Sequence, residues 1–124
     1  LQDVLQENGV GSIAFCPLAQ GLLTNKYLNG IPTDSRAAKT TSFLSKDQVT
    51  EEVVNRVKML NEIAVERGQN LAQLALAWVL RGERVTSELI GASRVSQIEE
   101  NVAALNNLSF TEDELNRIED ILRS

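Results

Sequence analysis

The chain has 124 residues, 43% of them apolar, a formal net charge of −5, one cysteine and no histidine. That composition suits one ordinary soluble domain and excludes an internal disulfide; the acidic balance and the missing imidazoles argue against nucleic acid as the main partner and against a metal site of the zinc type. No run is long and apolar enough to cross a bilayer, and Leu1-Gln2-Asp3 does not read as a secretory signal, so a reducing, cytoplasmic setting is the expectation.

In chain order, Leu1, Val4 and Leu5 share one helical face and Asn8-Gly9 is a helix stop. No cap residue precedes Leu1, so the chain is expected to begin inside a helix, truncated before residue 1. Ser12 to Cys16 is short, mostly apolar and ended by Pro17, the pattern of a buried strand. Residues 20–44 follow no period: Gly21, Gly30, Pro32 and many hydroxyl residues interrupt it, and a loop of that length is either a connector or functional. Ser45 and Gln48 read as a capping box for a helix carrying Val49, Val53, Val57, Leu60 and Ala64, stopped at Gly68. Asn70 and Gln73 open the next helix, with Leu71, Leu74, Ala75 and Trp78 on its buried stripe and Gly82 at its end. Ser87 to Ile90 is the second strand. Ser96 and Glu99 read as the box of a helix whose Ile98, Val102 and Leu105 face inward. Thr111 and Glu114 open a last helix with Leu115, Ile118 and Leu122 on its apolar side.

Strands joined by helical crossovers indicate an α/β fold with parallel pairing. Two such strands are too few for a sheet buried on both faces. The chain therefore reads as the back end of a larger barrel or doubly wound sheet.

Ligands in α/β folds collect at the C-terminal ends of strands. After Ile90, the run Gly91-Ala92-Ser93-Arg94 leads into a helix. Gly91 lets a ligand approach the backbone, the free amides and helix dipole favour an anion, Ser93 adds a hydroxyl and Arg94 a planar fork suited to phosphate. Gln97 and Asn101, four residues apart, share the face of the helix start, with Glu100 beside them. An arginine there, instead of an acid, points to a phosphorylated ribose. The competing reading is that the serines only cap the helix and Arg94 is solvated. After the first strand, Phe15 either offers a flat face to a planar ring or belongs to the core. The amides around Leu18, the Gln20 side chain and Lys26 could meet a pyrophosphate. Cys16 has no partner thiol or imidazole here, which speaks against a nucleophile.

The stretches "GSIAFCPLAQGLLTNKYLNGIP" and "LIGASRVSQIEENVAAL" closely resemble the C-terminal part of the aldo-keto reductase superfamily, and most of all bacterial reductases similar to potassium channel β-subunits. The resemblance runs from Leu1 to about Leu122. It implies a (β/α)8 TIM barrel, of which residues 1–124 would be the C-terminal portion, Ser12–Cys16 being strand seven and Ser87–Ile90 strand eight. It implies NADP(H) as cofactor and hydride transfer to a small-molecule carbonyl. By position, Phe15 would stack on the nicotinamide. Cys16, Pro17, Leu18, Ala19 and Gln20 would line the pyrophosphate under Lys26, and Arg36 would lie in the loop over the adenosine half. Gly91, Ser93 and Arg94 would hold the 2′-phosphate, with Gln97, Glu100 and Asn101 at the phosphate or the adenine. Asn25 stands where relatives often have glycine, and Cys16 where they often have a hydroxyl. The family's catalytic Asp, Tyr, Lys and His match no stretch here, and Tyr27 falls in the cofactor loop, so no catalytic residue is assigned and the chain alone is expected to be inactive. A redox-sensing, β-subunit-like binding protein with little turnover is the alternative. A homo-oligomer stays open; nucleic acid and membrane are not expected partners.

Overall fold

The computed structural model describes residues 1–19, 22–24 and 50–124. A short helix, α1 (Gln2–Glu7), leads to strand β1 (Ile13–Phe15); two helices follow, α2 (Glu51–Glu66) and α3 (Leu71–Leu80). A 3₁₀ turn (Arg81–Glu83) leads to β2 (Ser87–Leu89), then come α4 (Val95–Val102), a second 3₁₀ turn (Ala103–Asn106) and α5 (Glu112–Arg123). The strands pair in parallel, with Ile13 opposite Ser87, Ala14 opposite Glu88 and Phe15 opposite Leu89. This is the expected α/β order. Both strands are one or two residues shorter than their apolar runs. The first ends because Cys16 turns to a φ of +54°, which no ladder accommodates. None of the described helices is long and apolar enough to cross a membrane.

Each helix boundary has a local cause. Thr50 Oγ1 accepts from the Val53 amide at 3.2 Å, and Glu51 and Glu52 place negative charge in the first turn of α2. The expected Ser45–Gln48 box and Val49 lie outside the described residues. At the far end Gly68 takes a φ of +71°, and the amides of Gly68 and Gln69 return to Val65 and Ala64 at 3.0 and 2.9 Å, a Schellman stop. Asn70 and Gln73 form the expected reciprocal box on α3, at 2.8 and 2.9 Å. The Gln73 amide also donates to the Glu100 carbonyl at 2.8 Å, tying α3 to α4. Thr111 caps α5, accepting from the Glu114 amide at 3.1 Å. The Glu114 carboxylate does not complete a box, because it is engaged by Arg67.

The core lies between α2, α3 and α5. Val57, Leu60, Ile63, Ala64, Leu71, Leu74 and Ile118 form one buried cluster, with Trp78 and Phe110 packed against it. α3 is apolar nearly all round, and Leu76 and Ala77 are buried as well. Leu76 faces β2 and Ala104. α4 departs from expectation. Ile98, Val102 and Leu105 are 49, 55 and 58% exposed, so the described elements cover that apolar stripe only in part.

Arg67 joins the end of α2 to the start of α5. Its side chain is only 3% exposed and pairs with Glu114. It also donates to Ser109 O at 2.8 Å, Asn107 O at 3.0 Å and Gln69 Oε1 at 2.9 Å, and lies 3.9 Å over the Phe110 ring. Removing the guanidinium leaves the Glu114 carboxylate and the Ser109 carbonyl without their donor, while Asn107 O keeps the Gln69 amide at 3.1 Å. Arg67→Met should lower unfolding free energy by about 3 kcal/mol, read from the urea midpoint of the protein carrying this chain. Arg67→Met with Glu114→Leu should recover part of that loss. A double variant no better than the single would show that the stranded charge is not the cause.

Candidate functional site

Parallel pairing sends both strands out of the sheet at one edge. Phe15 and Leu89, a register pair, are the last residues before the two loops that matter, Cys16–Ala19 and Ile90–Arg94. Period-two alternation puts Ile13, Phe15, Ser87 and Leu89 on one sheet face and Ala14 and Glu88 on the other. α3 and α4 cover the second face. The first is open, and Phe15 is 77% exposed. That removes the reading of Phe15 as a core residue of the described structure. Its ring stands at the strand end with a free apolar face.

The loop after β1 is tight. Cys16 and Ala19 both have positive φ, +54° and +47°. The Ala19 amide returns to the Cys16 carbonyl at 3.1 Å, and the Leu23 amide to the Leu18 carbonyl at 3.2 Å. Non-glycine residues in this region carry local strain, which clusters where a backbone is shaped for a purpose. The Cys16 thiol is free and exposed. Pro17, Leu18 and Ala19 are half-buried around the turn. Gln20, Lys26 and Arg36, assigned by resemblance, lie outside the described residues.

The loop after β2 is built around Gln97. Its Oε1 accepts from the Ser93 amide at 2.8 Å, the Ser93 hydroxyl at 3.2 Å and the Arg94 amide at 3.3 Å. The expected box at Ser96 and Glu99 is not what opens α4. The N-cap is Arg94, with Gln97 as the third helical residue. An arginine side chain has no acceptor to give, so only the returning half of a capping box forms. The Arg94 guanidinium is exposed and makes no ion pair among the described residues. A Cβ on Gly91 would meet nothing within 4 Å, so the space in front of that backbone is open. Two amides and a hydroxyl converge on one carboxamide oxygen, and the guanidinium of the same Arg94 makes no ion pair among the described residues; donors of these types suit an anion.

Of the predicted residues, Phe15, Cys16, Gly91, Ser93, Arg94 and Gln97 thus come to one edge. Glu100 is exposed and uses its carbonyl to hold Gln73. Asn101, one turn beyond Gln97 on the same face, is buried, and lines a cavity of about 230 Å³ under α4 together with Glu88. Burial pushes the Glu88 carboxyl up to about 7. Sequence reading passed over Glu88; the usable signal was an acidic residue at the helix-facing position of a crossover strand. A larger cavity, about 560 Å³, lies at the opposite strand edge beside Arg81, Arg84 and Phe110. There Arg81 stacks 3.8 Å over Trp78 and Arg84 pairs with Asp3 at 3.0 Å.

The aldo/keto reductase family model matches residues 1–123. The chain belongs to the aldo/keto reductase family. L-glyceraldehyde 3-phosphate reductases from Escherichia coli, strains O157:H7 and K12, are each 57% identical over 122 residues, 96% of this chain and 35% of theirs. A probable voltage-gated potassium channel subunit beta from Arabidopsis thaliana is 40% identical over 120 residues, 94% of this chain and 37% of its own. Among solved structures, a glycerol dehydrogenase from Gluconobacter oxydans superposes with a TM-score of 0.76 at 25% identity, covering 98% of this chain and 37% of that one. The chain therefore spans about a third of the length of the relatives it matches.

Gln97→Leu should free the Ser93 and Arg94 amides and cost about 1 kcal/mol, the usual effect of losing a helix cap. Amide exchange checks it: Ser93 and Arg94 should lose protection while α3 keeps its own. Unchanged protection at both amides would remove Gln97 as the organiser of this loop.

Proposed function

We propose that this chain is the cofactor-gripping part of an NADP(H)-dependent aldo/keto reductase, its β1 and β2 being strands seven and eight of a (β/α)8 barrel. The observation that carries the reading is the convergence, at one parallel strand edge, of an exposed aromatic face at Phe15 and an unpaired guanidinium at Arg94. When bound, the nicotinamide supplies a hydride to a carbonyl carbon. Phe15 offers the flat surface on which that ring rests. The turn at Cys16, Pro17, Leu18 and Ala19 would line the pyrophosphate, with the Leu18 amide as a donor, since Pro17 has none and the Ala19 amide is bonded to Cys16 O; the resemblance adds Gln20, Lys26 and Arg36, which lie outside the described residues. Gly91 leaves room for the ribose. Ser93 and Arg94 would hold the 2′-phosphate, the planar Arg94 fork offering charge-assisted donors. Gln97, bonded to Ser93 and Arg94, would lie beside the same phosphate and Glu100 on the adenine side, while Asn101, buried under α4, would support that helix face from behind. The family's catalytic Asp, Tyr, Lys and His match no stretch of these residues, so the proton transfer is assigned to residues outside them.

The names of the reductase relatives make L-glyceraldehyde 3-phosphate the first carbonyl to test. Similarity to a channel β-subunit supports a second reading, a regulatory protein that binds the nucleotide and turns over slowly. Steady-state reduction of that aldehyde by the full-length protein separates the two. Ready turnover supports the enzyme, and nucleotide binding without it supports the regulator.

Arg94→Ala in the full-length protein should weaken NADPH binding by roughly tenfold to a hundredfold, as expected for one or two lost charge-assisted bonds, and leave NADH nearly unchanged. Titration by nucleotide fluorescence reads both. Equal losses for the two nucleotides would refute the role given to Arg94.

A further inference from the structure

Glu88 is the middle residue of β2, and the alternation of the strand turns it toward the helices. Its register partner is Ala14, which offers it no side-chain hydrogen bond. Its Oε1 is buried with no hydrogen-bond partner among the described residues. The side chain opens on the 230 Å³ cavity, walled by Leu76 and Leu80 of α3 and by Asn101, Val102, Ala104 and Leu105 of α4 and the turn after it. No other titratable group lines that cavity from β2, α3 or α4. From the neighbouring strand, the residue opposite is again only alanine.

Glu88 is half-buried, and a carboxylate with one oxygen cut off from water and partner is favoured in its protonated form. Burial is the one cause that moves the Glu88 carboxyl, up to about 7, and no charged neighbour contributes. α4 forms one wall of the cavity, and its first turn carries the Ser93–Arg94–Gln97 cluster. The cavity and the anion-binding loop therefore lie at successive turns of one helix.

We propose that Glu88 is a proton-operated wedge between α3 and α4. Protonated, it lets α4 seat on β2 and holds the Ser93–Arg94 loop at the strand edge; ionised, it draws water into the cavity and loosens that helix. The effect on nucleotide rests on the proposed function; the effect on α4 does not. The sign follows from linkage. With α4 displaced the carboxyl is hydrated and has its ordinary value of 4.5, whereas seated it is raised to about 7. The seated state therefore binds more protons, and seating weakens as pH rises from 4.5 to about 7 and is level above that.

The test uses the full-length protein and its Glu88→Gln variant. With exchange rates corrected for their intrinsic pH dependence, opening of α4 in the wild type should rise about tenfold per pH unit over that interval and then level off. In Glu88→Gln it should be flat with pH. A ¹³C titration of the Glu88 carboxyl should give a midpoint near 7, and this readout survives even if the variant folds poorly. NADPH affinity should fall with α4 seating in the wild type and not in the variant. A carboxyl midpoint near 4.5, or the same α4 profile in both proteins, overturns the wedge. If the α4 profile responds as described while NADPH affinity is identical in both proteins at every pH, the wedge is supported and the nucleotide role of the α4 loop is what fails.

Discussion

The parallel pairing of two short strands decides where everything else can be. An antiparallel pair would send the Cys16 and Gly91 loops to opposite ends of the sheet. Parallel pairing needs a long crossover, and the chain supplies one that includes α2 and α3. The strands themselves are only three residues each and make a narrow ladder. Their register is held from outside, by Ser12 and Thr86 just before the strands. The Ser12 amide donates to Thr86 Oγ1 and the Thr86 amide returns to Ser12 O, both at 2.9 Å. Gly11 lies beside that contact: a Cβ there would come within 3.1 Å of Thr86 Oγ1.

Around that ladder the molecule divides into two unequal regions. The helical side, α2, α3 and α5, has a dry core and a buried arginine hub at Arg67. The sheet side is open, with Ile13, Phe15 and Leu89 on its bare face and the apolar stripe of α4 covered only in part. A bare apolar surface of this kind implies contact with something else.

Much of the fold was legible because local chemistry and tertiary packing agree. Asn70 with Gln73, Thr111 before α5, and the Gly68 and Gly82 stops all act as their residue types suggest. The misreadings came where a side chain serves a distant partner. Glu114 leaves its helix cap for Arg67, and Gln97 supplies the cap that Ser96 and Glu99 seemed to offer. Spacing also gave the stripe of Ile98, Val102 and Leu105 correctly as a stripe, but periodicity cannot say whether anything lies against it. At the β2 edge, residue types singled out Gly91, Ser93 and Arg94 because anion chemistry uses few of them, and the fold sets these residues on one loop with Gln97. Asn101 lies one turn along the same helical face but is buried beside the space under α4, a difference that spacing alone does not reveal. Glu88 escaped notice because a single acid in a three-residue strand has no periodic signature.

The Gln97 carboxamide has a consequence for recognition at the β2 edge. Its oxygen already collects three donors from Ser93 and Arg94. Whatever anion enters there exchanges existing bonds for new ones, so its affinity must come from charge and from Arg94 rather than from the number of contacts it makes. Under the proposed function the loop would therefore discriminate by valence: a neutral hydroxyl would gain almost nothing over the resident amide, while a doubly charged oxyanion would.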